Sequence, residues 1–97
     1  MGYWHEKVVV ITGGSSGFGR SLAGRFAGSG ARVIIAARNQ EKLEAAAQSI
    51  AGEVTARTVD ITCDESVQEL VDGILKDEGR IDAWINNAGR SNRGQAA

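Results

Sequence analysis

Thr12-Gly13-Gly14-Ser15-Ser16-Gly17-Phe18-Gly19 decides the fold, because of what lies on either side of it. Ahead of it, Lys7–Thr12 reads Lys-Val-Val-Val-Ile-Thr, a continuous β-branched run of the kind found in strands buried on both faces. Behind it, Phe18, Leu22 and Phe26 recur at spacing four with Ala23 and Ala27 beside them, which is the apolar stripe of a helix. Gly28-Ser29-Gly30 ends that helix. A glycine-rich turn between a buried strand and a helix suits an anion. Helix N-terminal amides point outward unsatisfied, the dipole adds partial positive charge, and glycine lets a phosphate approach without meeting a Cβ. The general spacing G-x-G-x-x-G is absent, since Leu22 stands where its third glycine would fall. What is present is T-G-x-x-x-G-x-G.

Outward from the loop, the pattern repeats. Arg32–Ala37 (Arg-Val-Ile-Ile-Ala-Ala) is a second buried strand. Asn39 caps a helix that carries Leu43, Ala46, Ala47 and Ile50 and closes at Gly52. Val54–Val59 alternates like a strand with one wetter face, as suits a sheet edge. Thr62 and Glu65 have capping-box spacing ahead of a helix that turns Val67, Leu70, Val71, Ile74 and Leu75 inward and stops at Gly79. Ile81–Asn86 is the fourth strand, with Trp84 expected in the core, and Asn87–Ala97 is a polar segment without periodicity. Strands alternating with helices of this length imply right-handed crossovers and a parallel sheet, so the chain is α/β.

Composition agrees and narrows the class. The chain has 97 residues, 42% hydrophobic and 24% charged, which describes one ordinary globular domain over 1–97, with 90–97 expected as a flexible tail. Eleven basic residues against twelve acidic give a net charge of −1, so no nucleic-acid or membrane-surface partner is expected. Cys63 is the single cysteine, which excludes an internal disulfide. No apolar run approaches membrane-spanning length, and Met1–Lys7 does not read as a signal peptide, so the expectation is cytoplasmic. Thirteen glycines and no proline are the unusual figures, and four of those glycines lie in the loop.

The loop variant, in this position, resembles that of the short-chain dehydrogenase/reductase family. Two further motifs carry the resemblance: Asp60 just after the third strand, and Asn86-Asn87-Ala88-Gly89 closing the fourth, with Asp82 where the family often has an acid. The resemblance implies half of a doubly wound, Rossmann-like fold with strand order 3-2-1-4 and three helices. It also implies a nicotinamide dinucleotide held by Gly13, Ser15, Ser16, Gly17, Phe18, Gly19, Arg38, Asn39, Asp60, Asn87, Ala88 and Gly89. NADP is expected rather than NAD. NAD binders commonly place an acid about 20 residues past the loop, and here Ala37-Arg38 stands instead, a guanidinium suited to a 2′-phosphate.

In that family, as the resemblance implies it, hydride passes between nicotinamide and a carbonyl or alcohol carbon. A tyrosine donates the proton, with a lysine four residues later and a serine upstream. Those groups belong to elements past Asn86–Gly89. Tyr3 and Lys7 have the tyrosine–lysine spacing but precede the first strand, at the wrong end of a parallel sheet. The expectation is therefore the NADP-binding N-terminal part of an oxidoreductase, inactive by itself. The alternative is a non-catalytic interaction module that keeps the fold and dimerises. A dimer is expected in either case, through the fourth strand or the third helix.

Overall fold

The computed structural model describes residues 2–87. Seven elements follow one another: β1 (Val8–Thr12), α1 (Gly17–Gly28), β2 (Arg32–Ala37), α2 (Gln40–Ser49), β3 (Val54–Thr58), α3 (Asp64–Glu78) and β4 (Ala83–Asn86). The strands are all parallel, in spatial order β3-β2-β1-β4. β1 lies inside the sheet with every residue buried, which is why it is apolar throughout rather than alternating.

Successive strand side chains go to opposite faces, and the helices divide accordingly. Ala23 and Ala27 of α1 and Leu43 and Ala46 of α2 pack on Val9, Ile11, Val33 and Ile35. On the other face α3 stands alone, with Leu70 and Ile74 against Val8, Val10, Ile34 and Ala36. Gly79, at φ 82, ends α3 in the left-handed conformation that glycine adopts without strain. β2 has the expected bounds, and β1, β3 and β4 fall a residue or two inside the expected runs. At β4 the reason is visible: the Asp82 carboxylate accepts the Val8 N–H at 2.8 Å, so a side chain does there what a strand would have done.

Four expectations are corrected. Trp84 is not core, being 36% exposed at the sheet edge, and Leu75 is also a surface residue. One helix on that face is too narrow to cover both its own flank and β4. Phe18 is 65% exposed, because the first turn of α1 projects past the end of the sheet. The capping box does not form. Cys63 is the N-cap of α3 with no side-chain cap bond, and the Thr62 hydroxyl turns back to Asp60 instead. The expected tail 90–97, with Ala88 and Gly89, lies outside the described residues. Among the described residues no helix is long and apolar enough to cross a membrane.

Ion pairs trim the edges. Arg57 reaches from β3 across Gly73 of α3, where a Cβ would come within 2.7 Å of the guanidinium, and pairs with Asp77. Asp82 also accepts from Arg80 Nη2 at 2.7 Å. The Arg80 bond, then the Val8 N–H, holds the Asp82 carboxyl below the usual carboxylate range. A carboxyl depressed in the folded state stabilises above its unfolded pKa, and that contribution is lost as pH falls through the folded one. Asp82→Asn is therefore expected to flatten the loss of stability on acidification below about pH 4, measured by urea unfolding across that range. An unchanged acid limb would show that this carboxylate does not tie β4 to β1.

Candidate functional site

The carboxyl ends of all four strands converge on one side of the molecule, and the loop after β1 is built there. Gly13 turns the chain at φ 74. Its N–H donates to Ala36 C=O of β2 at 2.6 Å, and its own C=O accepts from the Ser16 N–H at 3.1 Å. Two of the loop glycines are demanded by packing. A Cβ on Gly14 would overlap the side chain of Ile35, and one on Gly19 would overlap Gly13 C=O and lie 2.9 Å from Asn87 Nδ2. Gly17 differs from these, since a Cβ there would meet nothing within 4 Å.

Ser16 is the N-cap of α1. Its hydroxyl accepts from the Gly19 N–H at 3.3 Å and from Asn87 Nδ2 at 3.0 Å, and donates to Gly13 C=O at 2.9 Å. That commits its one proton, so Ser16 enters the site as the cap and not as the phosphate donor its position suggests. Gly17 and Phe18, the first two residues of α1, have no preceding turn to accept their N–H groups, which face outward. Ser15 is half-buried beside them.

The loop is pinned from β4. Thr12 Oγ1 donates to Asn86 Oδ1 at 2.9 Å, and buried Asn87 donates its side-chain amide to Gly13 C=O at 3.1 Å. Thr12 opens the T-G-x-x-x-G-x-G motif, and its hydroxyl and carbonyl join that first residue to the Asn86-Asn87 pair.

After β2, Arg38 is exposed and makes none of the four ion pairs found among the described residues. Asn39 is the N-cap of α2, its Oδ1 accepting from the Lys42 N–H at 3.0 Å. After β3, Asp60 Oδ1 accepts from the Thr62 hydroxyl at 2.6 Å and the Thr62 N–H at 3.0 Å. Those two bonds, with the charge of Arg38 adding to them, hold the Asp60 carboxyl below the usual range, so it is an ionised acceptor. A cavity of about 300 Å³ is lined by Arg38, Thr58, Val59, Asp60 and Ser66. Ser66 went unnoticed in the sequence; its Oγ accepts the Asp60 N–H at 2.9 Å, a contact between a loop and a helix that no local pattern announces. A second cavity of about 250 Å³ adjoins along Ala36, Ala37, Arg38, Val59, Ile61 and Thr62.

Tyr3 and Lys7 lie at the opposite end of β1. The Lys7 ammonium sits 5.0 Å over the Tyr3 ring centroid, and Trp4 packs edge-on against Phe26. The carboxyl end of the sheet thus carries two clusters: outward amides over an open glycine after β1, and, after β2 and β3, an exposed guanidinium without an ion pair among the described residues beside an ionised carboxylate.

The family model for short chain dehydrogenases matches residues 7–97. The chain is similar to human retinol dehydrogenase 13, 41% identical over 88 residues, covering 86% of this chain and 27% of that protein. Among solved structures it resembles a short chain dehydrogenase from Bacillus anthracis at TM-score 0.82 and 45% identity, covering 87% of this chain and 35% of that one. An actinorhodin polyketide ketoreductase with NADPH aligns at TM-score 0.84 and 31% identity, over 93% of this chain and 36% of that one. A 3-ketoacyl-(acyl-carrier-protein) reductase from Brucella melitensis complexed with NADH aligns at TM-score 0.77 and 36% identity, over 82% and 33%. The chain spans about a third of the length of the proteins it matches.

Proposed function

The chain belongs to the short-chain dehydrogenase family, and we propose that it is the NADP-binding part of an oxidoreductase acting on a carbonyl or alcohol carbon. The observation that carries this is the space at Gly17. Neither backbone angle nor packing requires glycine at this position. Gly24 and Gly28 share such open space, but they lie along α1, away from the outward amides. At Gly17 the missing side chain clears the approach to the N–H groups of Gly17 and Phe18, where a pyrophosphate would sit. The exposed Phe18 ring borders that approach.

The other groups fit the rest of the cofactor. Arg38, exposed and outside the ion pairs found among the described residues, suits the 2′-phosphate that distinguishes NADP from NAD. Asp60 keeps its second oxygen to accept from the adenine amino group, with Thr62 and Ser66 fixing the carboxylate and its backbone. Asn87, with Ala88 and Gly89 after it, shapes the nicotinamide end. When bound, the nicotinamide supplies hydride chemistry; these residues bind and orient it. The proton-donating tyrosine, its lysine and the serine belong, by the family resemblance, to elements beyond Gly89, so this chain is expected to bind cofactor without turning over substrate. A cytoplasmic location is part of the same proposal.

The test is a titration of the purified chain with NADPH, followed by nicotinamide fluorescence. Saturable binding is expected. Gly17→Val is expected to weaken it by about tenfold or more, roughly 1.4 kcal/mol, at an unchanged melting temperature. Absence of saturable binding to the wild-type chain would overturn the proposal and leave a fold used for interaction alone.

A further inference from the structure

Arg38 and Asp60 carry opposite charges, line the same cavity of about 300 Å³, and make no ion pair. Their backbones are neighbours, since β2 and β3 run side by side to Ala37 and Thr58 and the Val59 N–H donates to Ala37 C=O at 2.9 Å. A guanidinium and a carboxylate so placed ordinarily close into a two-pronged pair. The geometry at Asp60 shows what stops them. The Ser66 hydroxyl accepts the Asp60 N–H at 2.9 Å, which fixes the backbone from which the carboxylate projects. Oδ1 then accepts both the Thr62 hydroxyl at 2.6 Å and the Thr62 N–H at 3.0 Å. A carboxylate oxygen has about two acceptor sites, so Oδ1 is filled, and a two-pronged pair needs both oxygens. Thr62 outweighs Arg38 at this carboxyl: its two bonds, ahead of the charge of Arg38, hold the group below the usual carboxylate range.

We propose that Thr62 is a positioning residue for the cofactor: its hydroxyl keeps Asp60 from closing onto Arg38, so that each stays available to a different part of the dinucleotide. This rests on the NADP reading above. In this role Thr62 acts through the two groups that meet the cofactor. Without the hydroxyl, Oδ1 keeps a single bond, from the Thr62 N–H, and regains an acceptor site. The carboxylate then turns to the exposed guanidinium, and one rearrangement withdraws both from the site. The consequence is specific. Loss of an adenine contact alone weakens NADPH and NADH alike, since both carry the base. Engagement of Arg38 weakens NADPH more, since only NADPH carries the 2′-phosphate. A residue without its own contact to that phosphate thus sets part of the preference for it.

The experiment has one arm without cofactor and one with it, both on the purified chain, with circular dichroism to report folding. In the first, carbon-13 NMR follows the Asp60 carboxyl through an acid titration. Arg38→Gln is expected to raise its midpoint only slightly in the wild-type background and by about one pH unit in Thr62→Val, because the pair exists only in the second. An equal rise in both backgrounds overturns the proposal, whether or not the chain binds NADP. In the second arm, calorimetric titration is expected to show the ratio of NADPH to NADH affinity about tenfold lower in Thr62→Val. Thr62→Ser, which keeps a hydroxyl, is expected to restore the ratio. So is Asp60→Ala added to Thr62→Val, which leaves Arg38 nothing to close on. A fall in both affinities at an unchanged ratio overturns the proposal, since Thr62 would then serve the adenine contact alone. A wild-type chain that binds neither cofactor removes the NADP reading and the cofactor role with it, while the first arm still decides whether Thr62 holds the pair apart. If Thr62→Val does not fold, Thr62→Ala takes its place in both arms.

Discussion

Gly14→Ala is expected to lower the melting temperature by roughly 10–25 °C, corresponding to about 3 kcal/mol in a chain of this size. The added Cβ would overlap Ile35 Cβ, in the middle of β2, and Ile35 is fully buried. Neither partner has room to retreat. Gly14 is held by the turn at Gly13, whose N–H is bonded to Ala36 of the same strand, and β2 is bonded on both sides by β1 and β3. Thermal unfolding of the variant beside wild type measures the effect. A Gly14→Ala chain that melts with wild type would mean that the loop does not lie against β2 as described. The contrast with Gly17 matters here: neighbouring glycines of one motif are expected to fail in different assays, Gly14 in stability and Gly17 in binding.

Arg38→Glu is expected to lower the ratio of NADPH to NADH affinity by about 100-fold. A hydrogen bond to a charged group contributes roughly 1.5–3 kcal/mol, or about 10- to 150-fold, and reversing the charge replaces attraction to the 2′-phosphate by repulsion. NADH lacks that phosphate, so its affinity should hold or improve. Arg38 is exposed and outside the ion pairs, so the melting temperature should not move. Calorimetric titration with both cofactors measures the ratio. An unchanged ratio would return Arg38 to the role of a solvated loop residue and leave NADP preference without a basis in this chain.

The sheet order and the assignment of helices to faces were legible because they depend on local periodicity and on the handedness of crossovers. Val8–Ile11 and Val33–Ile35 carry that information in every residue. Coverage was not legible. Periodicity says which side of a helix or strand is apolar, but not how far the neighbouring layer extends, so Trp84, Leu75 and Phe18 looked internal and are not. The site divides in the same way. The sequence picked out Gly13, Gly17 and Gly19 by their spacing, and Arg38 and Asp60 by the family resemblance, and the structure places all five at the carboxyl end of the sheet. Asn39 caps α2 as its position suggested, whereas Thr62 turns to Asp60 and not to the helix, because a hydroxyl can satisfy only the partners that folding brings to it. Ser66 had no signal, since its task depends on how α3 returns to the end of β3.

The guanidinium of Arg57, laid over Gly73 and fixed by Asp77, bears on what growth the sheet permits. An apolar residue at 57 would leave the outer side of β3 a bare row of N–H and C=O groups without a charge beside it, a template on which a strand of another molecule could lengthen the sheet. On this view Arg57 serves solubility more than stability.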